Sequence, residues 1–370
     1  MRSAILAAAS CCLIAWCPSL NAQQAPAPNA ASTQPQTSQA RTIHLDVLVK
    51  DKAGMPVSGL SQQAFTVLDN GQPQSLVSFT PVATRNDPSA VSVLIVMDMI
   101  NPGYDSVTWG REQLDEYLAQ ENGALRHRTS IAAMTQDGLE MMSGSTTDGK
   151  QLLAEFQKFA TDLRPVTQRA GWEGLEQLLQ QSLQQFTQIL AIEQSRPGRK
   201  LVMFITPGWP MLGLWGSEQD LHSVQQDFNI LVAMTNAIHD ARTVIYRLDP
   251  YEIGGVHAGP NDPFYYEEFL KPVTDPKKAT FPYLGLGVFA VHSGGRVLVT
   301  GHDITGELHN ALQDAGHYYE ITYPAPPAGG PNQYHAIEVR VNQPGATAQT
   351  ISGYYADPQL VGPQAVAKKH

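Results

Sequence analysis

Val91-Ser-Val-Leu-Ile-Val-Met97 runs without a charge into Asp98, and Asn101 follows three residues later. An apolar run of this length reads as a strand buried on both faces. A carboxylate at its end lies at the carboxyl edge of a sheet, where open α/β folds bind their ligands. The reading of the rest of the chain grows outward from this strand.

Downstream, strand and helix patterns alternate over residues 91 to 314. Trp109–Gln120 reads as a helix, and Thr129–Thr135 with Leu139–Met142 as a strand pair. Gly149–Ala160 reads as a helix that Asp148 caps. After Gly171, the residues Trp172, Leu175, Leu179, Leu183, Phe186 and Leu190 recur every three or four positions, one apolar helix face opposite a Gln-rich one. Lys200–Ile205 is a second buried strand. Glu218–Asp240 is helical, Thr243–Leu248 a strand, Phe281–His292 a helix ended by Gly294-Gly295, Arg296–Val299 a strand and Ile304–Ala315 a helix. This alternation predicts a doubly wound, mostly parallel α/β sheet over 86–316.

Both flanks read differently. In 41–85, Ile43, Leu45, Val47 and Val49 alternate with polar residues. Asp51–Gly54 is a turn, and Asp69-Asn70-Gly71 joins Phe65–Leu68 to Leu76–Phe79 as a hairpin. In 317–357, Tyr318–Tyr323, Ala336–Val341 and Thr350–Tyr355 are strand candidates between Pro/Gly-rich turns. The expected arrangement is one discontinuous, β-sandwich-like domain made from both flanks, with the α/β domain inserted. Residues 358–370 read as a tail.

The chain opens on Arg2, an apolar stretch over Ile5–Trp16 and Leu20-Asn-Ala22, the pattern of a secretory signal peptide over 1–22. Its apolar core is shorter than the roughly 20 residues a membrane span needs. A linker of Gln, Ala, Pro, Ser and Thr over 23–40 follows. The three cysteines, Cys11, Cys12 and Cys17, fall within the first segment, so the remainder has no disulfide, thiolate ligand or cysteine nucleophile. The net charge of −10, with no basic cluster longer than two residues, argues against nucleic acid and anionic membrane as partners. The expected localisation is secreted, periplasmic or cell-surface.

Several local patterns together resemble the von Willebrand factor A (VWA) family, in particular a VWA-related group described from acidobacteria. They are Leu45-Asp-Val-Leu-Val-Lys-Asp-Lys-Ala-Gly-Met-Pro-Val-Ser-Gly-Leu60 with Phe65-Thr-Val-Leu-Asp-Asn-Gly71, then Met97-Asp-Met-Ile-Asn101, then Gly198-Arg-Lys-Leu-Val-Met-Phe-Ile-Thr-Pro-Gly208, and finally Ser293-Gly-Gly295 with Gly353-Tyr-Tyr355. The resemblance implies a metal-ion-dependent adhesion site after the first strand, with the pattern Asp-x-Ser-x-Ser. Here those positions are Asp98, Ile100 and Pro102, and the Thr-Asp-Gly common after the fourth strand is Thr206-Pro-Gly208. A hard divalent cation needs several oxygen ligands, and Ile and Pro have none in their side chains. Two readings follow. One is a degenerate Mg²⁺ or Mn²⁺ site on Asp98, Asn101 and Thr206, with Thr167 in a nearby loop. The other, favoured by the missing ligands, has no cofactor, and Asp98 caps the next helix or bonds to neighbouring loops.

The same edge receives the loops after the fourth and fifth strands of the alternation. With Tyr104 and Trp109 they bring Trp209, Trp215, Tyr251, Phe264, Tyr265 and Tyr266 to one side of the sheet, an aromatic set suited to partner binding or to covering its own loop core. Other motifs carry less. Gly144-Ser-Thr-Thr-Asp-Gly-Lys150 has the spacing of a phosphate-binding loop but continues with Gln151 where Ser or Thr is needed. His302, His309 and His317 match no zinc spacing. Glu267 and Glu268 are adjacent and would diverge in a strand. No nucleophile, base and orienter assemble. The expected function is non-enzymatic protein recognition or adhesion through the carboxyl edge. The alternatives are a structural envelope module and a secreted hydrolase.

Overall fold

The structure is a computed structural model that describes residues 41–83, 90–142, 144–160, 172–209, 221–250, 265–299 and 303–356. The expected signal segment, linker and tail, with Thr167, Trp215, Tyr251, Phe264 and His302, lie outside the described residues, as does the side chain of Tyr104.

The first strand, β1 (Thr42–Lys50), buries Ile43, Leu45, Val47 and Val49. A hairpin follows, β2 (Phe65–Asp69) and β3 (Gln72–Pro73), turned by Asn70 at φ 48° and Gly71 at φ 75°. Two successive positive φ values are what an Asn-Gly hairpin turn requires. The expected second arm, Leu76–Phe79, is corrected. Pairing ends at Pro73, which has no N–H to continue the ladder, and β4 (Ser78–Ala83) joins a different sheet.

The α/β part follows. Its elements are β5 (Val91–Asp98), α1 (Tyr104–Ala119), β6 (Ala124–Thr135), β7 (Gly138–Met141), β8 (Thr146–Asp148), α2 (Gly149–Ala160), α3 (Trp172–Gln194) and β9 (Arg199–Ile205). Then come α4 (Leu221–Asp240), β10 (Thr243–Asp249), α5 (Leu286–His292), β11 (Arg296–Val299) and α6 (Ile304–Gln313). The strand order is β11-β10-β9-β5-β6-β7, with β8 also pairing to β6. β11, β10, β9, β5 and β6 are parallel, and β7 and β8 antiparallel. One face (Val93, Ile95, Met97, Leu201, Met203, Ile205, Val244) packs on α1, α2 and α6. The other (Leu94, Val96, Val202, Phe204, Ile245) packs on α3, α4 and α5. The sheet is thus mostly parallel and covered on both faces, which is why its central strands read as unbroken apolar runs.

Two helix boundaries differ from expectation. α1 begins at Tyr104, not Trp109, directly after Pro102-Gly103. The expected helix over Phe281–His292 is broken: a 3₁₀ turn spans Phe281–Leu284, and Gly285 is extended at ψ 142° before α5 begins. Pro282 in the first turn lacks an N–H donor, and Gly285 departs from helical geometry at little steric cost.

The chain ends in β12 (His317–Pro324), β13 (Gln333–Val341), β14 (Thr347–Gln349) and β15 (Gly353–Ala356). These interleave with the first strands in two four-stranded sheets, β14-β1-β12-β4 and β15-β13-β2-β3. The sheets share one core of Ile43, Leu45, Val47, Phe65, Val67, Ile321, Ile337 and Tyr354, among others. Inside it, Asp69 accepts from Tyr323 Oη at 2.8 Å and Tyr354 Oη at 3.0 Å and meets His335 Nδ1 at 2.6 Å.

This sandwich holds the amino ends of the parallel strands. Arg199, first in β9, donates to Asp314 O at 2.7 Å, and Arg296, first in β11, donates to Asp314 Oδ2 at 3.1 Å. Lys50, last in β1, lies 2.6 Å from the other Asp314 oxygen. Arg242, just before β10, bridges Asp46 of β1 and Glu320 of β12. The Asn236 side chain of α4 bonds to both the N–H and the C=O of Tyr355 on the edge strand β15. The carboxyl ends of the parallel strands therefore lie at the opposite edge.

Candidate polar hub at the carboxyl edge

The strand order reverses between β5 and β9, the switch point where open α/β sheets place their ligands. Asp98 ends β5 there and is fully buried. Its Oδ1 accepts from the backbone N–H of Ile100 at 3.0 Å and of Asn101 at 3.1 Å. Its Oδ2 accepts from Asn101 Nδ2 at 2.8 Å and Thr206 Oγ1 at 2.8 Å. Thr206 follows β9 directly, and its Oγ1 also accepts from Gly208 N at 3.0 Å. Asn101 Nδ2 donates further to Ser182 Oγ on α3 at 3.0 Å, and Ser182 donates to Leu178 O at 2.8 Å. The structure thus brings Asp98, Asn101 and Thr206 together, joined by a residue 81 positions beyond Asn101.

Burial pushes the Asp98 carboxyl above its ordinary range, and the bonds from Asn101, Thr206 and Ile100 pull the other way. All four partners are placed as donors, which suits the ionised form, since a carboxylate only accepts.

These residues do not fit a divalent cation. Both Asp98 oxygens are already engaged by four donors, Ile100 and Pro102 supply no side-chain oxygen, and the Thr206 hydroxyl is directed at Asp98. A hard cation of the Mg²⁺ or Ca²⁺ type needs around six oxygens in its shell.

The aromatic set divides. Trp209 is corrected from an edge residue to a core residue: it is 1 % exposed and its ring meets Phe186 at 5.2 Å, Phe204 at 6.2 Å and Phe289 at 6.4 Å. A large apolar ring following β9 is drawn into the gap between α3 and α5 rather than left in water. Trp109 is half-buried against the α1 side of the sheet. Tyr266 is also half-buried, stacked on the backbone of Gly287 and under the Arg247 guanidinium at 5.3 Å. Tyr265 is partly exposed, with its hydroxyl 3.3 Å from Glu267.

Sequence reasoning missed two groups. Ser182 lies among the leucines of the α3 apolar face, and a small hydroxyl there is the one available signal. Arg247 donates to Asp249 at 3.2 Å, both buried at the carboxyl end of β10. Nothing in the strand pattern separates them from surface charges.

The minor motifs resolve simply. Asp148 accepts from Lys150 N at 2.9 Å and Gln151 N at 3.1 Å, so a carboxylate occupies the α2 N-terminus that a phosphate would need, and Lys150 Nζ turns to Asn122. His309 bonds to Thr305 O within its own helix. Glu267 and Glu268 lie in an exposed 3₁₀ turn, not in a strand.

Fold and hub together define a class: a doubly wound α/β unit with a hydrogen-bonded carboxylate at its switch point, carried on a discontinuous β-sandwich. No protein-family model and no curated protein matches the chain. Among solved structures it is similar to the VWA domain of SpRpn10, at 12 % identity and TM-score 0.22 over 45 % of this chain and 78 % of that one. It is also similar to the N-terminal domain of TFIIH p34, at 13 % identity and TM-score 0.21 over 44 % of this chain and 82 % of that one. A third match is the pilus adhesin SpaC from Lactobacillus rhamnosus GG, at 10 % identity and TM-score 0.32 over 83 % of this chain and 48 % of the adhesin.

Proposed function

We propose that this is a secreted or surface-exposed protein that recognises a protein partner through the carboxyl edge of its α/β sheet and catalyses no reaction. One observation carries the reading. The sandwich meets the α/β part at the amino ends of the parallel strands, through Lys50 to Asp314 and Arg242 to Asp46 and Glu320, and the opposite edge holds the Asp98 hub, which pins the segments after β5 and β9 to α3. Fixing the backbone at the ends of β5 and β9 lowers the ordering cost there at binding. Secretion rests on the leader-like pattern of residues 1–22. Among the described residues, no helix is long and apolar enough to cross a membrane.

The test is saturable binding of the whole chain to the surface of cells that display it, compared across variants. Trp215→Ala and Tyr265→Ala, in the loops after β9 and β10, are expected to weaken binding. Glu338→Ala, in an exposed pair on the sandwich, is expected to leave it unchanged. A second reading, a structural module without a ligand site, draws on the burial of Trp209, which removes one aromatic from the edge. It would be favoured by the absence of saturable binding. Turnover in an ester, peptide and glycoside screen would instead favour the hydrolase alternative.

A further inference from the structure

Asn101 stands out within the hub because its side-chain nitrogen is spent twice. An amide nitrogen carries two protons. One goes to Asp98 Oδ2 at 2.8 Å and the other to Ser182 Oγ at 3.0 Å. The two acceptors come from different segments, the end of β5 and the middle of α3. Thr206 adds the segment after β9 through the same Oδ2. Joining oxygens from separate segments is what a coordinated cation does, and here hydrogen-bond donors do it. Asp98, Ser182 and Thr206 are fully buried and Asn101 is 6 % exposed, so the junction is closed to water.

We propose that the Asn101 amide replaces a divalent cation at this edge, so that the edge is assembled, and recognises its partner, independently of metal. The chemistry is consistent at each position. Ile100 and Pro102 have no side-chain oxygen for a cation, and the buried carboxylate is satisfied by the backbone N–H groups of Ile100 and Asn101 on Oδ1 and by the amide and hydroxyl donors on Oδ2. A further consequence concerns the partner. With no cation at the edge, an acidic side chain of the partner gains nothing by approaching Asp98, which is itself inaccessible. The anchoring contacts are therefore polar or aromatic ones to the loops. Metal-free assembly of the edge stands apart from the proposed recognition role; metal-free recognition and that last consequence rest on it.

The experiment uses the whole chain. Melting curves are recorded in EDTA and in millimolar Mg²⁺, Mn²⁺ or Ca²⁺, and Mn²⁺ uptake is read from loss of the free-ion EPR signal. The wild type is expected to melt identically in all four conditions and to take up no stoichiometric Mn²⁺. Asn101→Ala is expected to melt several degrees lower in every condition. Stoichiometric Mn²⁺ uptake by the wild type, abolished in Asp98→Asn, would overturn the proposal. So would an Asn101→Ala protein that melts like the wild type. Partner binding separates the two readings. Binding that EDTA abolishes defeats the metal-free edge and leaves recognition standing. An edge indifferent to cations in a protein with no saturable partner does the reverse.

Discussion

His127 sits on β6 with 2 % exposure, and neither ring nitrogen has a hydrogen-bond partner among the described residues. Burial, with Arg126 adding to it, pushes the ring down to about 4 from 6.5. The sign follows from linkage. The unfolded chain takes up a proton near pH 6.5, and the folded one only near pH 4. Stability is therefore flat above pH 6.5 and falls as the pH drops through that window, by about 3 kcal/mol from this residue. His127→Leu is expected to remove that share of the pH dependence, read from urea unfolding at pH 7 and pH 4.5. His44 and His292 shift in the same direction and are retained in both proteins, so the difference isolates His127. Trp209 gives a second residue-scale outcome. Its ring fills the space between Phe186, Phe204 and Phe289, and Trp209→Ala is expected to cost about 3–5 kcal/mol in urea unfolding. A residue acting only at a surface would cost far less. At this scale the site was largely legible. Asp98 and Thr206 each stand where an apolar strand run stops, and Asn101 is close in sequence to Asp98. Ser182 was not, because its role depends on how α3 lies against β5. For Trp209 the pattern left two alternatives, partner binding and core, and could not decide between them for a related reason: it shows where a loop starts but not that its first aromatic turns inward.

Among the elements, the turn between α5 and β11 is the least forgiving. Gly294 adopts φ +81°, and a Cβ on Gly295 would fall 1.8 Å from Ile245 O on the neighbouring strand β10. A backbone atom cannot yield as a flexible side chain can, so an added methyl must push β10 and β11 apart. Gly295→Ala is expected to destabilise by about 3 kcal/mol or more, or to prevent folding. Gly144→Ala, where a Cβ meets nothing within 4 Å, is the control expected to stay near wild type in denaturant midpoint. The double-glycine signal was visible in sequence as a helix end, but its stronger constraint, the close approach of β10, was not. The same limit explains the two element-level errors. The Asn-Gly turn was read correctly, while the destination of the strand beyond Pro73 depended on β12, more than 200 residues away. The helix expected over Phe281–His292 had the right apolar spacing, and Pro282 with Gly285 overrode it.

For the whole molecule, the junction between sandwich and α/β sheet is where a polar chain without disulfides in its described residues must hold two cores together. Asp314 is the centre of that junction. It is 1 % exposed, and its carboxylate meets Lys50 of β1 at 2.6 Å, Arg296 of β11 at 3.1 Å and the Tyr246 hydroxyl of β10 at 2.8 Å. Its backbone oxygen accepts from the buried Arg199. Such a pairing adds little when compared with an apolar contact of the same shape, but removing one partner strands the others. Asp314→Ala leaves two cations and a phenol facing each other without their shared acceptor, and is expected to cost about 3–5 kcal/mol. Removing the exposed Glu338–Arg340 pair is expected to change nothing measurable, because water replaces it. The location of the loss distinguishes this view from a general packing defect. The described tryptophans, Trp109, Trp172 and Trp209, all belong to the α/β part, so fluorescence from these three, with Trp16 and Trp215 replaced by Phe, follows that part. Amide exchange along β1 and β12 follows the sandwich. In the wild type the two are expected to report one transition in urea. In Asp314→Ala the β1 and β12 amides are expected to open before the tryptophan signal moves, since the end of β1 loses the partner of Lys50 while the α/β core keeps its own helices. Coincident transitions in the variant would mean that the remaining contacts, Arg242 to Asp46 and Glu320 and Asn236 to Tyr355, suffice to keep the two parts a single folding unit.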